Sequence, residues 1–145
     1  MERPIQVPNV ATDAIVFRQE SREILLITRG REPFVGYHAF PGGFVDYNED
    51  PREACLRELK EECSIEGAEA ELVTVAGQPG RDPRKHVISI VYQVKVDGLE
   101  QGNLKAADDA ATANWYKLED VMREDFKLAF DHREILQVFL NKNKL

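Results

Sequence analysis

The stretch from Asp50 to Gly67 carries the strongest structural signal in the sequence, because the start, the buried face and the end of a helix are all marked there. Asp50 suits the N-cap, Pro51 suits the first helical position, and Glu53 lies at capping-box spacing. Apolar residues then recur along one helical stripe: Cys55, Leu56, Leu59 and Cys63. This pattern predicts a helix that packs its stripe on a core and stops near Gly67.

Strand patterns lie on both sides of this helix. Val10–Phe17 and Glu23–Arg29 flank a polar turn, so we expect a β-hairpin. The remaining elements that we predict are strands at Glu71–Ala76, Val87–Val96 and Ala113–Tyr116, and a short helix at Leu118–Arg123. A last helix opens at Asp131, with Glu134 at capping-box distance. Strands mixed with two longer helices predict an α/β domain with helices packed on a sheet.

Length and composition favour one soluble domain over residues 1–145. No apolar run approaches the ~20 residues that a membrane span needs, and the N-terminus lacks the apolar core of a signal peptide. The net charge of −7 argues against a general nucleic-acid-binding surface. It is compatible with a small anionic ligand held by a few basic groups and a metal ion.

The cysteines indicate a reducing environment. Cys55 and Cys63 lie eight residues apart in the same predicted helix, which separates them by about 12 Å. That distance is too long for a disulfide bond. We therefore expect two reduced core residues and a cytoplasmic protein.

The run RELKEECSI, which begins at Arg57, concentrates carboxylates on one side of the predicted helix. Glu58, Glu61 and Glu62 fall within roughly a third of a turn, and Glu58 and Glu62 repel each other at i,i+4 spacing. One explanation is a solvated face, with Arg57 and Glu61 forming an ion pair. The other is a divalent cation site, because Mg²⁺ prefers carboxylate oxygens.

The residues around this run favour the cation site. Gly43 is followed after five residues by Glu49, and after seven more by RELKEECSI. This pattern resembles the signature of the Nudix hydrolases, which cleave nucleoside diphosphates linked to another moiety. The resemblance implies an α/β/α sandwich with a mixed β-sheet. One position departs, since Ser64 stands where the family pattern has the glycine that eases a positive φ at a helix end.

The resemblance also implies the roles of individual residues. It predicts a site for Mg²⁺, for which Mn²⁺ can substitute, formed by the carboxylates of Glu58, Glu61 and Glu62 and the backbone carbonyl of Gly42. Glu61 is implied as a direct or a water-mediated ligand. Arg57 and Glu49 are expected to hold the glutamates in place through hydrogen bonds. Candidates for the base that accepts a proton from water are Glu58, Glu61 and the pair Asp108–Asp109, although that pair is equally compatible with an exposed loop.

Three further segments resemble the ADP-ribose pyrophosphatase branch of the family: PFVGYHAFPGGFVD, GRDPRKHVISIVY and LAFDHREIL. The second contains the cationic cluster Arg81, Arg84 and Lys85, which we expect to contact a ribose or phosphate group. Arg29 and Arg31 are further candidates. The alternative for all five is a solvated loop.

Aromatic residues and histidines complete the candidates. Phe34, Tyr37 and Phe40 are candidates for stacking on adenine, although aromatic residues near a strand are more often core. We expect structural or hydrogen-bonding roles for His38 and His86, because Mg²⁺ disfavours imidazole. Trp115 is expected in the core.

Three functions therefore stay open. The first is hydrolysis of ADP-ribose to AMP and ribose 5-phosphate. The second is hydrolysis of another nucleotide, such as an oxidised nucleoside triphosphate or a different nucleotide sugar. The third is a non-catalytic ADP-ribose sensor, which is disfavoured because the carboxylates are intact and we expect no DNA-binding domain beyond Leu145. The expected partner is a nucleotide, without nucleic acid or membrane, and a homodimer is left open.

Overall fold

A computed structural model of the protein describes residues 5–96 and 110–145. The described residues form eight strands: β1 Asn9–Ile15, β2 Phe17–Arg18, β3 Glu23–Arg29, β4 His38–Ala39, β5 Gly42–Phe44, β6 Glu69–Ala76, β7 Val87–Lys95 and β8 Ala110–Lys117. They also form three helices: α1 Pro51–Cys63, α2 Leu118–Val121 and α3 His132–Asn143. The predicted elements are therefore present, with ends that shift by a few residues.

The strands belong to two sheets. The first has the order β5-β1-β7-β6, in which β1 and β7 run parallel and the other neighbours antiparallel. In the second sheet β3 pairs antiparallel with β2, β4 and β8. The mixed strand directions agree with the sheet that the sequence predicts.

The predicted hairpin is wrong over most of its length. The chain changes sheets at Val16, so that β1 pairs with β5 and β7 and the two residues of β2 pair with β3. All seven residues of β1 have a partner in the parallel strand β7. A pairing between strands so far apart in the chain leaves no turn signal in the sequence, whereas a hairpin does.

Alternate residues of the central strands face opposite helices. Ala14 and Leu25 belong to the same core cluster as Leu59 of α1, whereas Ile15 and Ile24 belong to the cluster of Phe139 of α3. Leu59 is fully buried, which contributes roughly 2 kcal/mol to folding. The helices therefore cover opposite sides of the strands, and the predicted α/β/α sandwich is confirmed.

Helix α1 begins as predicted and ends earlier. The carboxylate of Asp50 accepts a hydrogen bond from the Arg52 N–H at 2.8 Å. The helix ends at Cys63, and Ser64 follows in the left-handed region with φ 58°, its N–H donating to the carbonyl of Lys60. Gly67 does not end the helix; a Cβ there would lie 2.6 Å from a methyl group of Leu56, so its role is close packing.

The two cysteines are free and buried, as predicted. Burial raises the pKa of both Cys55 and Cys63 to about 12, so both are neutral thiols at physiological pH. In the described part of the chain, no helix is long and apolar enough to cross a membrane.

Candidate active site

A cavity of about 380 Å³ opens where β1, β5, α1 and the loop before β7 meet. This volume suits a small-molecule ligand. Eight of the candidates predicted from the sequence line it: Arg29, Arg31, Phe40, Gly42, Glu58, Glu62, Arg81 and Arg84. The structure therefore brings the acidic helix and the basic loop to one cavity, although they are separated along the chain.

Two glycines allow the backbone of β5 to lie directly against the carboxylates of α1. A Cβ on Gly43 would lie 2.5 Å from the carboxyl carbon of Glu58, and a Cβ on Gly42 would lie 2.1 Å from the carbonyl oxygen of Thr12. A side chain at Gly42 would collide with the backbone of β1, and one at Gly43 would push the Glu58 carboxylate out of its position. The Gly42 N–H donates to Oε1 of Glu62 at 2.7 Å, which joins the turn at Pro41–Gly43 to the helix.

Arg57 connects the loop before α1 to the helix, as the sequence predicts. Its guanidinium donates to both oxygens of Glu49, at 2.7 and 2.9 Å, and to Oε1 of Glu58 at 2.9 Å. A weaker bond reaches the carbonyl of Phe44 at 3.2 Å. The Arg57 guanidinium and the Asp46 N–H together lower the pKa of Glu49 to about 2, so Glu49 stays ionised over the physiological range.

The three glutamates of α1 have different surroundings. Glu58 lines the cavity with a side chain 16% exposed, and Glu62 lines it with a buried side chain. The Glu61 side chain is 56% exposed, lies 3.3 Å from Arg57 and does not line the cavity. The structure thus brings Glu58 and Glu62 together with Gly42, but not Glu61.

The donor set fits a hard divalent cation. Glu58 and Glu62 lie one helical turn apart and face the same cavity as the Gly42–Gly43 backbone, and carboxylate and carbonyl oxygens are the ligands that Mg²⁺ and Mn²⁺ prefer. Within residues 5–96 and 110–145, no three acidic, His or Cys side chains already converge into a metal-binding cluster. A cation would therefore draw on two side chains, backbone and substrate oxygens, which is the usual mode for Mg²⁺.

The basic loop contains one buried and one exposed arginine. The Arg81 side chain is 5% exposed and donates to both oxygens of Asp131, at 2.9 and 2.7 Å. The Arg84 side chain is 42% exposed and pairs with Asp82 at 2.8 Å. Arg81 therefore fastens the loop to the start of α3, while Arg84 offers its guanidinium to the cavity. Lys85 does not line the cavity.

The Arg81 pair also explains a difference at the start of α3. Asp131 is the N-cap residue, as predicted, but its side chain makes no capping hydrogen bond. The carboxylate is instead occupied by the arginine. Helix capping is therefore given up for a contact across the fold.

Two aromatic rings line the cavity beside the arginines. Phe44 and Phe130 both line it, and the Arg84 guanidinium lies 5.9 Å from each ring. Arg29 lies 4.9 Å from the Phe130 ring, at cation–π distance. Its pKa is lowered, first by burial and then by the positive charge of Arg84. Arg31 also lines the cavity.

The aromatic residues predicted to stack on adenine have mainly packing roles. Phe34 does not line the cavity; its ring packs against Phe130 at 4.9 Å and Tyr37 at 5.4 Å. Phe40 borders the cavity but is buried. Phe44 and Phe130 were missed, although Phe44 follows the glycine pair directly and Phe130 lies in LAFDHREIL.

The remaining ring residues have the structural roles that the sequence predicts. Nδ1 of His38 lies 3.0 Å from the Thr28 hydroxyl, and Nε2 of His86 lies 2.9 Å from the Gly77 carbonyl. Trp115 packs against the core on the α1 side. Asp108 and Asp109, the other candidates for the base that accepts a proton from water, lie outside the described residues.

Two buried polar residues at the cavity were also missed. Asp13 accepts a hydrogen bond from the Ser89 hydroxyl at 2.5 Å, and burial raises the pKa of Asp13 to about 7. His132 is 3% exposed, and burial lowers its pKa to about 3. An aspartate inside the apolar strand VATDAIV was a visible signal for the first; the second carried no signal beyond its segment.

The fold is that of a Nudix pyrophosphohydrolase. A model of the NUDIX domain matches residues 7–139, so the chain belongs to the NUDIX domain family. The signature between Gly43 and Ile65 predicted this family correctly.

Relatives of the chain include an ADP-ribose pyrophosphatase of Methanocaldococcus jannaschii, 44% identical over 133 residues, which cover 92% of this chain and 73% of the relative. An ADP-ribose-responsive transcriptional repressor of Acinetobacter baylyi is 34% identical over 138 residues, covering 90% of this chain and 52% of the repressor. A crystal structure of a bifunctional NMN adenylyltransferase/ADP-ribose pyrophosphatase from Francisella tularensis, in complex with AMP and a manganese ion, superposes with a TM-score of 0.83 at 26% identity. The superposition covers 97% of this chain and 43% of the chain in that structure.

Proposed function

We propose that the protein hydrolyses ADP-ribose to AMP and ribose 5-phosphate in a reaction that depends on Mg²⁺. One observation carries the proposal: Glu58 and Glu62 share a cavity with the wall of Arg84, Phe44 and Phe130. The two glutamates suit a cation bound to a pyrophosphate. The arginine and the two phenylalanines suit the anionic groups and the base of a nucleotide. The 44% identity to an ADP-ribose pyrophosphatase supports the same substrate.

The proposed chemistry divides the tasks of metal binding, orientation and proton transfer among these groups. Glu58, Glu62 and the Gly42 backbone would supply oxygen ligands for Mg²⁺ or Mn²⁺, and Arg57 and Glu49 keep Glu58 in place. The cation would neutralise phosphate charge and make water more acidic. Water adds to one phosphorus, the bond from that phosphorus to the bridging oxygen breaks, and a carboxylate takes the proton.

The structure favours one residue as the proton acceptor. Of the two glutamate candidates, Glu58 lines the cavity and Glu61 does not. We therefore assign proton transfer to Glu58, and a supporting role beside Arg57 to Glu61.

Substrate recognition is assigned to the arginines and aromatic rings that line the cavity. Arg29 and Arg84 lie beside aromatic rings at the cavity and are placed to bind phosphate or ribose oxygens. Phe44 and Phe130 take the stacking role first assigned to Phe34. Both loop arginines are paired with an aspartate, but the Arg81 side chain is 5% exposed and the Arg84 side chain 42%. Arg81 is therefore assigned to hold its loop against Asp131.

A panel of substrates tests this function. The values of kcat/KM with Mg²⁺ are compared for ADP-ribose, other nucleotide sugars, and ordinary and oxidised nucleoside triphosphates. We expect ADP-ribose to be preferred, with AMP and ribose 5-phosphate as products in equal amounts. A preference for a triphosphate or another nucleotide sugar would replace ADP-ribose by that substrate within the same family.

An ADP-ribose sensor is the alternative from another class, and the 34% identity to an ADP-ribose-responsive repressor favours it. A sensor binds ADP-ribose without turning it over. Isothermal titration calorimetry beside the hydrolysis assay separates the two functions. Binding with no product release in the presence of Mg²⁺ would support the sensor.

The setting of the reaction is also inferred. The buried, reduced cysteines are compatible with a cytoplasmic protein. Three statements stay predictions from the sequence. The protein is one domain over residues 1–145, neither nucleic acid nor membrane is a partner, and a homodimer is left open. Light scattering of the purified protein measures the oligomeric state.

A further inference from the structure

The turn that contains Gly42 is held by three bonds from three elements. The Phe40 N–H donates to Nδ1 of His132 at 3.2 Å, at the start of α3. The Ala14 N–H of β1 donates to the Pro41 carbonyl at 2.8 Å. The Gly42 N–H donates to Glu62 of α1 at 2.7 Å. Consecutive residues of the turn are thus fixed from both helices and from the sheet.

The bond from α3 is the one that the proposed chemistry leaves unexplained. His132 is 3% exposed, and its ring stacks on Phe40 with centroids 4.8 Å apart and planes at 22°. Because Nδ1 accepts the Phe40 N–H, the proton of the neutral ring is on Nε2. That nitrogen lies 3.7 Å from the carboxylate of Asp13, which in turn packs beneath Gly42.

We propose that His132 is a positioning residue for the metal site, which it serves by holding the Phe40–Gly42 backbone against Glu58 and Glu62. It does not touch the cation or the substrate pyrophosphate in this role. The inference rests on the metal site of the proposed function and adds the residue that fixes the Gly42 backbone from the start of α3.

Holding this backbone matters because a metal site works only when its ligands lie close to their productive positions. A constellation must be held within roughly 0.5 Å of its productive geometry, and partners that orient ligands typically change metal affinity 10–100-fold when removed. Loss of the Nδ1 acceptor leaves the buried Phe40 N–H without its bond, and the turn then shifts to find another partner.

Three substitutions at His132 and one elsewhere separate positioning from general packing. In His132→Asn, Oδ1 stands the same number of bonds from the backbone as Nδ1, so the acceptor is kept. His132→Gln places its amide at the position of Nε2, and His132→Leu removes the acceptor. His38→Leu is the matched control, because His38 stacks on Phe126 at 4.7 Å and 26° but bonds the Thr28 side chain instead of the turn.

The measurements are the dissociation constant for Mn²⁺ alone, from the electron paramagnetic resonance signal of free Mn²⁺, and kcat and KM for ADP-ribose. Thermal unfolding shows that each variant is folded at the assay temperature. We expect the Mn²⁺ dissociation constant to rise at least about tenfold in His132→Gln and His132→Leu. We expect a change below about threefold in His132→Asn and His38→Leu. The value of kcat should fall with Mn²⁺ affinity, while KM stays within about threefold.

The outcomes distinguish this inference from the function on which it rests. Folded His132→Gln with wild-type Mn²⁺ affinity overturns the positioning role, even if ADP-ribose is hydrolysed. Equal losses in His132→Asn and His132→Gln overturn it too, since then the acceptor does not matter. Wild-type protein that binds Mn²⁺ but does not cleave ADP-ribose contradicts the proposed substrate and leaves the positioning result intact. If His132→Leu does not fold, the Asn and Gln pair decides.

Discussion

Neighbouring glutamates of one helix have separate fates in this fold. Glu58 points to the glycine turn and the cavity, whereas Glu61 is three residues further on and more than half exposed. The spacing in the sequence placed both on one side of the helix, and it could not tell which of them the turn at Pro41–Gly43 would cover. That choice depends on β5, which contacts α1 only in the folded chain.

Glutamine substitutions test this division. Glu58→Gln keeps the shape but removes the charge at the cavity, so kcat/KM should fall at least about a hundredfold. Glu61→Gln should lose no more than about tenfold, because its side chain lies outside the cavity. Steady-state kinetics with saturating Mg²⁺ give both values, and circular dichroism checks the fold. Equal losses in the two variants would contradict the separation of roles.

The two arginines of the basic loop should also differ. Arg84→Ala removes a group that faces the cavity, so KM should rise about tenfold. It also leaves the buried carboxylate of Asp82 without its arginine, so the melting temperature should fall too. Arg81→Ala removes charge-assisted bonds to Asp131 and should cost on the order of 2 kcal/mol of stability. Urea unfolding and steady-state kinetics measure the two effects. A stable Arg81→Ala protein with a selective rise in KM would show that Arg81 contacts the substrate directly.

Residue-level contacts were predictable where the partners are close in sequence or belong to the Nudix signature. The Arg57–Glu49 pair is of this kind, and the structure has it at 2.7 Å. The Arg81–Asp131 pair was not predictable, because the partners are 50 residues apart and each has a plausible local role. Without that pair, both loop arginines look equally available to a ligand.

At the level of elements, α1 ends at a position that suits glycine better than serine. Ser64 has φ 58° and ψ 35°, in the region where a Cβ costs about 1 kcal/mol. Ser64→Gly should therefore raise the free energy of unfolding by up to about 1 kcal/mol, after the loss of chain entropy is included. Ser64→Ala is the control and should give no gain. Chemical denaturation checks this, and a Ser64→Gly protein no more stable than wild type would show that the position is unstrained.

The loop before α1 should give a pH signature through Glu49. Arg57 and the Asp46 N–H lower the folded-state pKa of Glu49 from 4.5 to about 2. This stabilisation is complete above pH 4.5 and is lost as the pH falls toward 2. The melting temperature of wild type should therefore exceed that of Glu49→Gln most above pH 4.5, and the gap should close toward pH 2. A gap that is constant with pH would contradict the ion pair.

Elements with local signals were predicted well, and those fixed by distant pairing were not. The caps and stripe of α1 are written in adjacent residues, so its start and its buried face follow from the sequence. The path of β1 depends on β7, more than 70 residues away, and the sequence indicated a hairpin instead. The sequence did not indicate the short strand β5, because Gly42 and Gly43 have low strand propensity.

At the level of the whole molecule, the two helical layers meet at the turn between β4 and β5. Helix α1 brings Glu58 and Glu62 to the cavity, and the start of α3 and the residue segment before it bring His132 and Phe130 to the same cavity. The pattern of strands and helices predicted helices packed on a sheet, and the resemblance to the Nudix hydrolases implied the layers on both faces. The meeting point was not predicted, since it follows from the strand order β5-β1-β7 and from the change of sheets at Val16.

The cation site on α1 is tested most directly by measuring AMP release from ADP-ribose as divalent cation is removed and restored, in wild type and in Glu62→Gln. This variant keeps an oxygen for the Gly42 N–H and loses the charge. Chelator should abolish wild-type activity, and Mg²⁺ or Mn²⁺ should restore it. The activity of Glu62→Gln should stay at least about a hundredfold below that of wild type at saturating metal. Hydrolysis that survives chelation, or a Glu62→Gln enzyme with more than about a tenth of wild-type activity, would contradict a cation site on α1.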